Sequence, residues 1–304
     1  MRKLRRHVPV ALALILASLS SSCRLVSTPR TIFRRGKPAT QAHAQTPLTA
    51  TRDELNARIA ALYNSIGSFQ ATVDMTPSKG DIYKGQITDY RDFRAFVLFR
   101  KPASIRIQAL LPVVRTQAFD MVSDGANFRF YMNSKNLFVE GANDAPANSK
   151  NTLENLRPDA FLASMLIRPV DPAREEPILV DQTDEDATLY ILLFMAKEPG
   201  GQLQPRILRS IWFDRLDLSI IRQMVYDEKG AIVSDTRYAK WTPYNGVLFP
   251  AHIDINRWKD GYGVVMDIVQ LQMNKPLTNE QFVLNPPDGA QIREVGMTAR
   301  REIH

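Results

Sequence analysis

The spacing of hydrophobic residues predicts one helix near the start of the folded part of the chain. A single stripe at helical spacing is formed by Leu55, Ile59, Leu62, Tyr63 and Ile66. Thr51 and Glu54 precede this stripe as a capping box, in which each side chain satisfies a free backbone N–H of the other. Gly67 follows the stripe and favours a helix end. The pattern therefore predicts a helix between Thr51 and Gly67.

After Gly67 the hydrophobic period changes to two, which is typical of strands. The alternation predicts strands at Phe69–Met75, Phe93–Phe99 and Ile105–Leu111, and a hairpin turn at Ser123–Ala126 between two further strands. Six later strands are predicted at Thr188–Ala196, Arg206–Asp214, Ser219–Tyr226, Ile232–Trp241, Val247–Trp258 and Gly263–Met273. Short polar turns between neighbouring strands favour antiparallel pairing. The prediction is a mainly β (α+β) domain of about eleven strands in a large curled antiparallel sheet, with helices on one face.

The middle of the chain interrupts the alternation. Leu153, Leu156, Phe161, Met165 and Leu166 predict one or two short helices around Pro158. The carboxylates Glu175–Glu176 and Asp184–Asp186 lie in stretches rich in proline and aspartate. They are interpreted as solvated charge in loops.

The first residues have the layout of a secretory signal peptide. Four basic residues are followed by a short apolar run and by Ser20–Ser22, which lead directly into Cys23. The apolar run is too short to span a bilayer. Cys23 is the only cysteine, so an internal disulfide is excluded. We interpret residues 1–22 as a signal peptide and Cys23 as a lipidation site, although Ser20 stands where such sites have a large apolar residue. The alternative is ordinary signal cleavage nearby, or after Ala42 or Ala44.

Residues 23–50 are expected to form a lipid-anchored flexible tether, and residues 51–304 the folded domain, with a disordered tail after about 296. The formal net charge of +7 does not indicate nucleic-acid binding. Nine of the 39 lysine and arginine residues lie within the first 37 residues, which leaves 30 basic against 32 acidic residues. A nucleic-acid interface requires its basic residues on the folded domain. The basic residues of the tether are interpreted as contacts to an anionic membrane surface, or simply as part of a solvated spacer.

The sequence offers few groups for catalysis. Of the four histidines only His252 lies within a predicted strand, since His304 is the last residue of the predicted tail, and the usual nucleophile, phosphate-binding and zinc motifs are not present. Cys23 is assigned to the anchor. We therefore expect a protein that is not an enzyme, with no catalytic residue, no metal site and no cofactor.

One face of the sheet is predicted to be strongly apolar. Its residues are Phe93, Val97, Phe99, Ile105, Ile107, Phe119, Met121, Phe128 and Phe130. The ordinary interpretation of such residues is a packed core. Because a wide sheet with two short helical segments has little to cover its inner side, a partly empty cavity for acyl chains is the functional interpretation.

Several short motifs, taken in order, resemble the LolA/LolB superfamily of lipoprotein carriers. They are Phe99–Arg106, Val122–Gly125 with Phe128–Tyr131, Ile211–Asp214, Asp227–Gly230, Gly246–Pro250 and Phe282–Gly289. Each is a turn or strand signature, and the resemblance covers roughly residues 55–295. It implies a half-open barrel of about eleven antiparallel strands with a helical lid that holds lipid chains in an apolar cavity.

The resemblance also implies roles for particular residues. Phe161 and Met165 would belong to the lid, and Lys101 matches a basic residue that hydrogen-bonds to the lid, although lysine lacks the planar fork of arginine. Leu110, Leu111, Val113 and Val114 would form an exposed loop that faces the membrane, or simply a strand end.

The leading functional hypothesis is a lipoprotein of the outer membrane that faces the periplasm and binds acyl chains of lipoproteins or lipids, as a chaperone in lipoprotein localisation or transport. Its expected partners are these acyl chains and the membrane that holds its own lipid. The alternative is a structural or assembly lipoprotein that docks another envelope protein without carrying lipid.

Overall fold

The computed structural model describes residues 46–81, 86–111, 117–145, 156–184 and 186–295. The predicted signal peptide, Cys23, most of the tether and the tail after 296 lie outside these residues. The boundaries of the three predicted segments stay predictions for the same reason.

The N-terminal helix α1 (Arg52–Ser65) begins where its capping box predicts. The backbone N–H of Glu54 donates to Oγ1 of Thr51, and the backbone N–H of Thr51 donates to Oε2 of Glu54. The helix ends at Ser65, and the backbone N–H of Ile66 donates to the carbonyl of Tyr63. Only Leu55 and Ile59 of its 14 residues are buried, so α1 lies on the molecule with one narrow stripe inward.

Fifteen strands form a single sheet among the described residues. They are β1 (Ser68–Asp81), β2 (Gln86–Asp89), β3 (Phe93–Arg100), β4 (Ser104–Leu110), β5 (Gln117–Ser123), β6 (Asn127–Met132), β7 (Leu137–Ala142), β8 (Glu175–Thr183), β9 (Thr188–Lys197), β10 (Leu203–Asp214), β11 (Ile220–Tyr226), β12 (Ile232–Tyr244), β13 (Val247–Arg257), β14 (Tyr262–Met273) and β15 (Gln291–Val295). The order across the sheet is β15-β7-β6-β5-β4-β3-β1-β14-β13-β12-β11-β10-β9-β8, and β2 pairs with β1 alone. All pairs are antiparallel except β15 with β7. The curled antiparallel sheet with helices on one face is confirmed.

The sequence pattern predicts eleven of these fifteen strands and does not predict the other four, which are β2, β7, β8 and β15. β2 and β15 are short and lack a buried face, so no hydrophobic period marks them. β8 contains Pro177 and is rich in acidic residues, which suits an edge strand. β7 begins with Leu137, Phe138 and Val139, which are all buried, and such a continuous run does not alternate.

The inner face of the sheet carries one continuous hydrophobic core. Both helices contribute to it: Leu55 and Ile59 from α1, and Phe161 and Met165 from α2 (Pro158–Met165). α1 packs against β8 and β13, whereas α2 packs against β4, β5 and β13. Both helices therefore lie on the same side of the sheet.

A C-terminal strap, residues 277–290, crosses the outer face of the sheet. Three arginines on the strands donate to its backbone carbonyls: Arg100 to Leu277, Arg106 to Gln281 and Arg129 to Leu284. Leu284 also packs with Val122 and Phe138 in a small outer cluster. The carboxylate of Asp120 is buried and accepts two bonds from Arg106. The strap carries the closing Phe282–Gly289 motif, which therefore covers the sheet from outside.

The interpretation of Glu175 as solvated loop charge is wrong. Glu175 is buried at the start of β8, where both of its oxygens accept bonds from Arg209, at 2.9 and 3.0 Å. The charge of Glu175 is tolerated because Arg209 is buried beside it and the pair is bidentate.

Within the described segments, no helix is both long enough and apolar enough to cross a bilayer.

Candidate functional site

The structure brings the nine predicted lipid-binding residues together on the inner face. Seven of them are at most 1% exposed, and Phe93 and Phe119 are half-buried against the same core. The seven are Val97, Phe99, Ile105, Ile107, Met121, Phe128 and Phe130. Aromatic contacts link Phe93 to Phe119 (centroids 5.8 Å apart) and Phe119 to Phe130 (5.6 Å). These side chains pack on one another, so the face is part of the core, and its contact with lipid stays a prediction.

Helix α2 covers part of this face. Six of its eight residues are buried, and they include both predicted lid residues, Phe161 and Met165. The ring of Phe161 stacks on Tyr262 with a centroid distance of 6.4 Å. Pro158 occupies the first turn, where its missing N–H costs nothing. A helix with so much apolar surface inward is held mainly by burial.

Polar side chains from the strands hold the C-terminal end of α2. The hydroxyl of Tyr238 donates to the carbonyl of Ser164 at 2.8 Å, and the amide of Gln223 donates to the carbonyl of Ala163 at 3.2 Å. Oγ1 of Thr236 donates to Oγ of Ser164 at 3.2 Å. Burial raises the pKa of Tyr238, so its hydroxyl keeps the proton that it donates.

Arg209 fastens the segment that follows α2. Its guanidinium donates to the carbonyls of Arg168 (2.6 Å) and Pro169 (3.1 Å) as well as to Glu175, and it lies 4.0 Å from the centroid of the Phe194 ring. Burial lowers the pKa of Arg209, and the carboxylate of Glu175 opposes that shift. Sequence reasoning missed Arg209, Gln223, Thr236 and Tyr238. Their only signal is that polar residues occupy inward positions of predicted strands.

Lys101 contacts a different helix from the one predicted. Its Nζ donates to the carbonyl of Tyr63 in the last turn of α1 at 2.6 Å and lies 3.9 Å from the centroid of the Tyr63 ring. The prediction that Lys101 fastens the helix containing Phe161 and Met165 is therefore wrong. A cation suits the carbonyl end of a helix, where the backbone dipole is negative. Partial burial lowers the pKa of Lys101.

An open groove lies between α1 and the strands β11–β13. Its volume is about 520 Å³. Its apolar lining consists of Ala61 and Leu62 from α1, Ile220 from β11, Trp241 from β12, and Val247 and Leu248 from β13. Polar groups of Arg58, Ser65, Asp217 and Ser219 also border it. The groove is thus apolar along its walls, with a few polar groups beside them.

A smaller pocket of about 20 Å³ adjoins the groove and leads toward the core. It shares Leu62, Ile220, Trp241 and Leu248 with the groove, and it is also bordered by Met165–Ile167 at the end of α2. The indole N–H of Trp241 donates to the carbonyl of Ile220 at 2.8 Å, which fixes the orientation of the ring. The groove therefore has an ordered aromatic wall, which it shares with the smaller pocket.

The groove and the predicted site do not coincide. None of the nine predicted face residues lines the groove or the pocket. Of the predicted membrane-facing loop, Leu110 is half-buried at the end of β4 and Leu111 is exposed, whereas Val113 and Val114 lie outside the described residues. A groove between a helix and three strands has no recognisable sequence pattern, because its lining residues come from four separate segments.

Across the described ranges, no cluster of three or more histidine, cysteine, aspartate or glutamate side chains is arranged to hold a metal ion. His252 lies on β13, where its Nδ1 is 2.8 Å from Oδ1 of Asp267 on the neighbouring strand. This pair belongs to the sheet and is not part of the groove.

Comparisons with known proteins place the fold. No protein-family model matches the sequence. No curated protein matches it significantly. A DUF1329 family protein from Desulfovibrio piger superposes with a TM-score of 0.50 at 15% identity, over 78% of this chain and 97% of that protein.

Two further solved structures are similar. A LolA superfamily protein from Nitrosomonas europaea has a TM-score of 0.49 at 14% identity, over 78% of this chain and 99% of its own. A domain described as an outer membrane lipoprotein-sorting protein from Vibrio parahaemolyticus has a TM-score of 0.47 at 12% identity, over 76% and 97%. Identities this low establish no function. The likeness to the Desulfovibrio piger protein is one of fold alone, and membership of the LolA/LolB superfamily stays a prediction.

Proposed function

We propose that this chain is a lipid-anchored protein of the cell envelope that binds an acyl chain of a lipid or lipoprotein in the groove beneath α1. The single observation that carries the proposal is the groove itself. Its volume of about 520 Å³ lies within the range of about 300–1,000 Å³ typical of small-molecule sites. Its walls are apolar, and it is open to solvent without any rearrangement of the core.

The chemistry of the lining suits a chain with a polar end. Leu62, Trp241 and Val247 would cover methylene groups, and each methylene removed from water contributes about 0.8 kcal/mol. Arg58 borders the groove, and its guanidinium donates one bond to the carbonyl of Asp217. A guanidinium has five N–H groups, so Arg58 can also donate to an ester, carboxylate or phosphate oxygen. A cation at this position favours an amphiphile with an anionic or ester end over a hydrocarbon.

A direct test is binding of a fluorescent fatty acid, cis-parinaric acid, to the full mature chain. Ala61→Trp places a large side chain in the groove and should abolish the fluorescence increase. Ala57→Trp is the matched control, because Ala57 is exposed one turn earlier on the same helix and does not line the groove. Equal binding by the two variants, or no binding by the unmodified chain, would reject the proposal.

The envelope location and the anchor belong to the same proposal. They are supported by the signal-peptide layout and by Cys23 directly after small residues. The intact mass of the mature chain tests them, because lipidation predicts a chain that begins at Cys23 and carries the mass of the added acyl groups. A Cys23→Ser chain should be released from membranes. The proposal includes no catalytic step.

The alternative function, docking of an envelope protein without lipid, is favoured by a different surface. Edge strand β8 pairs only with β9 among the described strands, and Ile178 and Val180 are exposed along it. An apolar edge strand is a template for an added strand of another protein. An Ile178→Lys/Val180→Lys chain would lose such a partner and keep fatty-acid binding, so the two functions are separable.

A further inference from the structure

Three exposed leucines lie on segments that border the groove or are bonded to such a segment: Leu48 before α1, Leu216 in the β10–β11 turn and Leu248 at the start of β13. Leu248 lines the groove directly. Leu216 precedes Asp217, which also lines it. Leu48 is joined to the same turn, because its backbone N–H donates to the carbonyl of Arg215 at 2.7 Å. We call these three residues the leucine rim.

The exposure of the rim is built into the backbone. The N–H of Leu216 donates to the carboxylate of Asp214 at 2.8 Å, and the N–H of Ser219 donates to Asp217 at the same distance. Leu218 of the same turn is partly buried against the core, whereas Leu216 is exposed. These bonds hold the turn in a conformation that exposes Leu216, although exposure of an apolar side chain to water is unfavourable in free energy.

Leu48 of the leucine rim lies close in sequence to the predicted lipid anchor, which indicates that the binding partner of the rim is a bilayer. The chain that leads from Cys23 enters the described part of the molecule at Thr46, two residues from Leu48. The 23 peptide steps from Cys23 to Thr46 reach at most about 80 Å, so a lipid at Cys23 would hold Thr46 within that distance of a bilayer. Such an anchor would raise the effective concentration of the rim at the membrane surface.

Another exposed leucine, Leu111, lies at the other end of the strands. Leu111 follows β4, which begins after the Lys101–Ala103 turn beside the last turn of α1. The seven residues of β4 separate these two ends by about 20 Å. A flat surface that meets the leucine rim consequently does not meet Leu111, the loop that the family resemblance implies as membrane-facing.

We propose that the leucine rim is a bilayer-docking surface, which sets the mouth of the groove against the membrane so that an acyl chain enters without crossing water. This inference rests on the proposed acyl ligand and anchor. Arg58 at the mouth would face the phosphates of the lipid head groups. The leucines would extend into the acyl region around the opening.

The test compares two positions of equal exposure, Leu216 (44%) and Leu111 (43%). Each is replaced by cysteine in the full lipidated chain, in which the thiol of Cys23 is already a thioether, and labelled with an environment-sensitive nitrobenzoxadiazole dye. The chain is placed in phosphatidylethanolamine and phosphatidylglycerol vesicles with or without brominated acyl chains. The expected result is quenching of about twofold at Leu216→Cys and little at Leu111→Cys, because only an inserted dye meets the bromine atoms. Adding Leu48→Asp to the Leu216→Cys chain should reduce its quenching.

Equal quenching at both positions, or quenching at Leu111→Cys alone, would overturn the proposal. Dye at Leu216→Cys that is shielded only by an added envelope protein fraction, and never by vesicles, would also overturn it and identify a protein surface. Fatty-acid binding measured without vesicles is independent of this result. Intact binding with no quenching would therefore remove the bilayer surface and leave the groove.

Discussion

The two helices on the inner side of the sheet are held in opposite ways. α2 buries six of its eight residues, and side chains of Gln223, Thr236 and Tyr238 grip its end. α1 buries two of its 14 residues. Polar bonds attach it to the strands at both ends. Arg52 donates to Glu176 at the first turn, and Lys101 and Asn274 donate to the carbonyls of Tyr63 and Ser65 at the last turn.

The difference indicates which helix controls the groove. α2, the helix predicted to be a lid, is fastened like a core element and fills the space above the predicted lipid-binding face. α1 forms one wall of the groove and has few buried contacts to lose. Local opening draws on the least buried elements, so we expect α1 to move when a ligand enters, while α2 stays in place.

The largest expected effect comes from breaking the fastening behind α2. Arg209→Ala leaves the carboxylate of Glu175 buried without its partner and frees the carbonyls of Arg168 and Pro169. Loss of one member of a buried ion pair costs about 3–5 kcal/mol of the free energy of unfolding. Urea unfolding measures it, with Arg237→Ala as the control, because Arg237 pairs at an exposed site. Equal losses in the two variants would show that the buried pair does not hold this region.

A smaller effect is expected where a single bond grips α2. Tyr238→Phe removes the hydroxyl that donates to Ser164 and leaves that carbonyl buried, which costs about 1–3 kcal/mol. Stability should fall, whereas fatty-acid affinity should stay the same, because Tyr238 does not line the groove. A large loss of affinity with unchanged stability would mean that α2, rather than α1, controls access.

The smallest effect on stability is expected at α1. Lys101→Met removes the bond to the Tyr63 carbonyl at a partly exposed site, for a loss of about 1 kcal/mol or less. The informative measurement is hydrogen exchange. The amides of residues 58–65 should exchange faster in this variant, and those of residues 160–166 should not change. Faster exchange in both helices would contradict independent attachment.

The sequence predicts the parts of this fold that depend on local rules. The capping box at Thr51 places the start of α1, and the alternation at Phe93–Phe99 and Ile105–Leu111 assigns each side chain to the correct face. It does not predict β8, because Pro177 and the acidic residues there resemble a loop until Arg209 is brought beside Glu175. Partners 34 residues apart in the chain carry no local signal.

The candidate site was less predictable than the fold for a related reason. Apolar residues of predicted strands were assigned correctly to one face, yet whether such a face is filled depends on what packs over it. Here α2 and neighbouring side chains cover Val97, Ile107 and Phe130. The open volume lies instead beside Trp241 and Val247, between elements whose spacing only the folded chain determines.

The central claim is that an acyl chain occupies the groove under α1 rather than the inner face of β3–β6. A palmitate that carries a diazirine at the end of its chain tests this most directly, by photo-crosslinking to the full mature chain and mapping by mass spectrometry. The account predicts adducts on residues 58–65 and 241–248. Adducts confined to Phe119–Phe130 and Phe161–Met165, with none on α1, would contradict it.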